Sequence, residues 1–315
     1  MKNKFNIVLA ILWLLIALFF CWLLFSKFSN GSSHFSFNAQ FADKVFGDDG
    51  ITINFDDLSF GDINTLYKSY PFNSAHFEKF NVSTVSESVH FQPYEGSEYL
   101  VELYGNWNEK LEPEITQEGK TLKIKTPTIK KSIGNRKIVI KVPEGESSKL
   151  FDTDVSCVSG SIHSSDLCFS DFTADVTSGS VHFDGTADTL NAGTISGSIH
   201  VNGTCGNIDA ESTSGSIHVS GTCGNIDADT VSGSIHFETD EPLTGKNVFN
   251  STSGSINIAI PEDSGCEFEW NTVSGSVSNE FYKGKCGKSG SQIIGDGDTR
   301  INAETVSGSI HLNMN

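Results

Sequence analysis

The chain has 315 residues, with 39 acidic against 21 basic side chains and a formal charge of −18 at pH 7. Between Lys149 and Lys246 there is no Lys or Arg, while fourteen Asp and Glu fall in the same interval. A stretch this anionic excludes nucleic acid and anionic lipid headgroups as partners, and leaves cationic partners, divalent ions and neutral glycans.

In chain order, residues 1–6 are basic through Lys2 and Lys4 and form a predicted cytoplasmic N-terminus. Residues 7–25 are an uncharged, mostly large apolar run. As a helix it is about 28 Å long, enough to span a bilayer core. The preceding lysines favour an inside N-terminus, so the sequence predicts a single-pass anchor in the cell membrane with the C-terminal domain extracytoplasmic. A cleaved signal peptide competes with this. The run is long for such a peptide, however, and no A-x-A site follows it. Leu18-Phe-Phe-Cys21 is a poor lipidation site because its middle residues are bulky. Residues 26–77 mix Ser, Asn and Asp with scattered Phe and read as a partly ordered extracellular linker, with one strand at Ile51–Phe55. Residues 78–150 alternate apolar and polar side chains and predict four to six strands that cap a stack.

Residues 151–315 carry an internal repeat. Ser-Gly-Ser begins at Ser159, Ser178, Ser196, Ser214 and Ser232, in steps of 19 and then 18 residues. Looser copies follow at Ser253, Ser274 and Ser307. Ile or Val follows each copy, and then His in six of the eight: His163, His182, His200, His218, His236 and His311. Asn257 and Ser278 take that place in the other two. Ile208 and Ala210 flank Asp209, and Ile217 and Val219 flank His218, which is the period of strands with one buried face. No helical stripe occurs. The fold class is therefore all-β, a parallel β-solenoid of coils of about 18–21 residues, each with two or three short strands. Coils about 4.8 Å apart give eight copies a length of roughly 35–40 Å. A left-handed hexapeptide helix fails because its six-residue register, counted from Ile199, would bury Glu211. A right-handed solenoid or a two-sheet roll remains. An insertion at residues 279–300 breaks the spacing and is expected to be a surface loop or a cover for one end of the stack, with the last repeat as the exposed final coil.

Thr230-Val-Ser-Gly-Ser-Ile-His236 resembles the T-V-S-G-D-[IV] signature of the DUF4097 family of bacterial "putative adhesins". Phe80–Phe91, Gly119–Lys125 and Ile138–Pro143 resemble the family's opening strands. The likeness covers residues 78–315. It implies a β-solenoid on the cell surface, and it brings an adhesin-like role or an accessory role in envelope-stress sensing. The chain departs from the signature by placing Ser where Asp is common and by adding His after the Ile.

Equivalent positions of successive coils align, so His163, His182, His200, His218 and His236 should form an outward ladder and a candidate binding face. A plain polar row, a pH-responsive strip and a metal strip are all compatible with it. Single ligands at the repeat period define no closed metal site, so no metal is assigned. Cys205 and Cys223 occupy equivalent repeat positions about 5 Å apart, close enough for a disulfide if their side chains converge; small residues filling the coil interior are the alternative. Eight near-identical Ser-Gly-Ser copies read as a structural corner and not as a nucleophile, which needs one positioned base. No catalytic residue and no cofactor is assigned. The expected function is non-enzymatic binding or scaffolding, with a cell-envelope glycan or a membrane protein as partner. A carbohydrate-active solenoid enzyme is a further alternative.

Overall fold

A computed structural model of the chain describes residues 62–72, 76–128, 135–282 and 284–315. The predicted anchor at 7–25 and the strand at 51–55 lie outside these residues. Among the described residues no helix is long and apolar enough to cross a membrane.

The repeat becomes parallel, in-register pairing. Val181–Ser196, Ile199–Ser212 and Ile217–Thr230 pair side by side, with Val181 opposite Ile199 and Ile199 opposite Ile217. Each is one continuous strand of 14 to 16 residues, not the two or three short ones expected. The strand survives the coil's bend because the bend falls on stacked glycines. Gly185, Gly203 and Gly221 all have φ between 128° and 149°, so the ladder continues through the turn. Inward positions alternate along each arm and stack from coil to coil, as in the column Leu190, Ile208 and Ile226. Glu211 points outward and is exposed, as the rejection of the hexapeptide register requires.

The Ser-Gly-Ser corner joins the second arm of one coil to the first arm of the next. Three recurring features at or beside it each close a contact between coils. A buried hydroxyl two residues before the first Ser donates to a corner carbonyl of the neighbouring coil: Thr194 to Gly179, Ser212 to Gly197 and Thr230 to Gly215, at 3.0–3.2 Å. The corner glycines lie on one another so closely that a Cβ on Gly215 would stand 1.8 Å from the carbonyl oxygen of Gly197. The second Ser accepts the backbone N–H of its equivalent in the next coil, as Ser180 does from Ser198 and Ser216 from Ser234. Its oxygen is thus engaged in structure.

The same corner recurs upstream, where Thr84-Val-Ser-Glu-Ser-Val-His90 stacks beneath Ser159–Ser161. Glu87 stands in the glycine position. It is buried and forms an ion pair with buried Arg136, whose guanidinium faces the Trp107 ring at 5.4 Å.

The ends of the stack depart from sequence order. Thr299–Ser307 does not follow Cys266–Ser274 outward; it lies between that strand and Lys246–Ser253, parallel to both. Ile310–Met314 likewise lies between Ile256–Ile260 and Val277–Asn279. The expectation that the last repeat forms the final coil is therefore corrected. Side-chain volume supplies a reason: Ala303 faces Phe249 on one side and Trp270 on the other, and stacking the two large rings directly would overfill the interior. Within the insertion, Ser289–Ile294 pairs antiparallel with Cys266–Asn271 and covers the outer edge of that strand. At the opposite end Lys79–Thr84 lies between Thr121–Lys125 and Leu150–Cys157. Two antiparallel strands close this end: Leu66–Phe72, from the predicted linker, pairs with Tyr99–Gly105, and Glu114–Glu118 pairs with Thr121–Lys125.

Candidate functional site

The predicted ladder forms, and it is longer than predicted. His163, His182, His200 and His218 stack face to face at 4.6–4.9 Å with interplanar angles of 1–3°. His90 adds a rung at the N-terminal side, 4.3 Å from His163. His236 closes the run, tilted by 46° at 6.0 Å from His218, and its Nε2 lies 3.5 Å from the Glu238 carboxylate. Beyond it the column continues through Asn257, His311 and Ser278, with the Ser278 hydroxyl 2.7 Å from His311 Nδ1. The sequence reading missed His90 because Glu87 interrupts Ser-Gly-Ser; Thr84-Val-Ser and Ser88-Val-His on either side carry the signal.

Alternation sets the direction of these rings. The residue before each His is fully buried, among them Val89, Ile162, Val181, Ile199, Ile217 and Ile235, so the imidazole one position later turns outward. Most of the rings are half-buried by their neighbours. Burial holds His90 down to about 3, assisted by His163 and Lys137, and His163 down to about 4, assisted by His182 and Lys137. Burial also lowers His182, His200 and His218, and neighbouring imidazoles add to it for the last two. The rungs near the N-terminal cap are thus the hardest to protonate. Parallel stacking sets the ring nitrogens in rows along the stack and does not converge them on one point. From His90 to His218 the ladder is a strip of hydrogen-bonding imidazoles held towards the neutral form and repeated at the coil spacing.

A folded imidazole held below its unfolded value of 6.5 contributes stability above that value, and the contribution is lost as pH falls towards the folded pKa. His90 and His163 together should cost roughly 2 kcal/mol between pH 7 and pH 5 after solvent screening. The thermal midpoint is then expected to drop by roughly 4–8 °C over that interval. In His90→Asn/His163→Asn the drop should be clearly smaller; circular dichroism melts at the two pH values check this.

Cys205 and Cys223 are register partners in adjacent coils, both buried and both free thiols. They fill the interior at the position that Ala187 holds one coil earlier. Burial pushes Cys205 up to about 12, with Cys223 adding to it, and Cys223 up to about 11.

The sequence reading also missed the outward column just before each Ser-Gly. Val158, Ile195, Val231, Val273 and Val306 are each more than half exposed. The signal was present, since this position is Val, Ile or Thr in every copy even though strand alternation places it on the solvent side.

The family model described as Toastrack DUF4097 matches residues 77–313. Among solved structures, the chain is similar to a putative adhesin from Bacteroides fragilis NCTC 9343, with 14% identity, 78% of this chain and 96% of that chain covered, and a TM-score of 0.37. It is similar to a putative lipid binding protein from Parabacteroides distasonis ATCC 8503, with 17% identity, coverage of 80% and 98%, and a TM-score of 0.44. A putative adhesin from the same organism shares 14% identity over 79% and 97% of the two chains, with a TM-score of 0.43. No curated protein matches the chain. With the family match running over residues 77–313, well over half of the chain, the chain belongs to the Toastrack DUF4097 family.

Proposed function

We propose that the protein is a membrane-anchored, non-enzymatic binding module of adhesin-like type, whose β-solenoid presents columns of repeated side chains to an extracytoplasmic partner with repeating structure. The anchor is the apolar run at residues 7–25. The observation that carries the reading is unbroken register: one residue type recurs at the same outward place in coil after coil, as His182, His200 and His218 do. A row of weak identical contacts gains by multivalency against a repeating polymer and gains nothing against a small ligand. The second Ser hydroxyl of each corner serves the backbone, which favours binding over chemistry.

The test is retention of isolated cell-envelope material by a fragment spanning residues 32–315, beside the full-length protein. Retention of wall polymer by the fragment alone supports the proposal. If only the full-length protein retains material, and that material is a membrane protein, an accessory role in envelope-stress sensing replaces it.

A further inference from the structure

On the other flank of the Ser-Gly-Ser corner from the imidazoles lies a groove of about 930 Å³, lined from Ser83 and Ser156 through to Asn271 and Val306. It crosses nine paired second arms, a length of roughly 38 Å at about 4.8 Å per coil. Its floor is the exposed β-branched column that includes Ile195, Val231 and Val306. Thr177, Thr213 and Thr252 hold this place in alternate coils, so the floor is a run of exposed β-branched methyls interrupted by hydroxyls. Beside the floor runs a second column, two residues earlier in each coil. It carries Asp175, Glu211, Asp229 and Glu304, with Asn250 and Asn271 in other coils. Among the described residues no Lys or Arg belongs to the lining, and the Lys288 ammonium reaches only the Val273 carbonyl at one end. Burial pushes the neighbouring Asp227 carboxyl up, Asp229 and Asp209 push it further, and Lys246 only partly offsets them.

We propose that this groove is the track for an extended amino-sugar polysaccharide with free amines, lying along the stack axis with about one sugar per coil. The proposal deepens the adhesin-like reading and rests on it. Three features select this occupant. The groove runs across the strands, so a peptide laid in it would find no ladder for its backbone. A pyranose ring has one C–H face for the Val and Ile floor and hydroxyl edges for the Asp, Glu and Asn wall, and in an extended 1,4-linked chain it advances by nearly one coil thickness. Ammonium groups on that chain would meet the unbalanced carboxylates in charge-assisted hydrogen bonds. The Phe-rich segment before residue 62 is a poor occupant, since Asp43, Asp48, Asp49, Asp56 and Asp57 make it acidic.

The probe is a β-1,4-linked glucosamine hexamer, titrated calorimetrically into the full-length protein. Binding should weaken at least tenfold in Glu211→Gln/Asp229→Asn, and likewise in Ile195→Lys/Val231→Lys, with thermal midpoints unchanged. The fully N-acetylated hexamer should bind at least tenfold more weakly, and Asp188→Asn/Glu262→Gln, which removes two exposed carboxylates outside the groove, should bind as the native protein does. Unchanged affinity in both groove pairs, no binding of the hexamer, or tighter binding of a Lys-rich peptide in the same groove overturns the assignment. Envelope retention that survives both groove pairs overturns the groove and leaves the adhesin-like reading standing. Hexamer binding in the groove without any envelope retention supports the groove and removes that reading.

Discussion

Gly215→Ala is expected to lower the thermal midpoint by roughly 6–12 °C, a cost of about 3 kcal/mol or more. The new methyl would stand 1.8 Å from the carbonyl oxygen of Gly197, with the Gly197 carbonyl carbon at 2.5 Å. Both neighbours are backbone, so no side chain can turn aside. Relief requires the two coils to part at the corner, and that strains the Thr230 bond to Gly215 and the Ser212 bond to Gly197. Exposed Ser214→Ala, one residue earlier, touches none of these contacts and should change the midpoint by under about 1 °C. Paired melts of the two variants separate corner packing from any general intolerance of the repeat.

Glu87→Ala is expected to cost about 3–5 kcal/mol, the usual penalty for removing one partner of a buried ion pair. The Glu87 and Arg136 side chains are 4% and 1% exposed. The carboxylate accepts from Arg136 Nε and Nη2, and from the backbone N–H groups of Val85 and Ser86. Burial pushes its pKa up, but the Ser86 N–H and the Arg136 guanidinium outweigh that and hold it below the usual carboxylate range. Its stability contribution is therefore present above the unfolded pKa and lost as pH falls through the lower folded value. Removing the carboxylate strands a buried guanidinium whose Nη1 has no hydrogen-bond partner among the described residues. Glu87→Gln keeps an acceptor for the two N–H groups and loses only the charge, so it should fall between the native protein and Glu87→Ala in urea denaturation.

The middle of the stack was legible in the sequence because each repeat repeats its own environment. Ile199, Ile217 and Ile235 see the same neighbours above and below, so a period of 18 with alternation implies the parallel register directly. The ladder from His163 to His236 followed from the same reasoning. Legibility ended where environments stop repeating. The last coil's place between two earlier coils depends on a three-way fit of Phe249, Ala303 and Trp270, which no single repeat displays. His90 was hidden by one substitution, Glu87 for Gly, whose partner Arg136 lies far along the chain. The long continuous strands were misjudged as short because Gly203 and Gly221 read as turn signals, whereas a stacked column of glycines lets a strand bend without losing its ladder. The groove escaped notice because its β-branched floor sits at the parity that alternation reserves for solvent.

The placement of residues 299–314 between two earlier coils bears on synthesis. Coils from Val181 to Thr230 each pair with the one made just before, so a nascent chain can add them as it emerges, at about 5–20 residues per second. That order breaks at Lys246–Ile260, whose final neighbour is made roughly fifty residues later, after Cys266–Asn279. During that delay two open parallel edges of similar pattern are tethered within reach of each other, and their premature pairing would give a kinetic trap. The Phe249–Trp270 clash that Ala303 prevents in the finished fold would also make that trap a poor one. One small alanine would thus serve twice, as a spacer in the native interior and as the reason why the slot stays open for the strand that completes it.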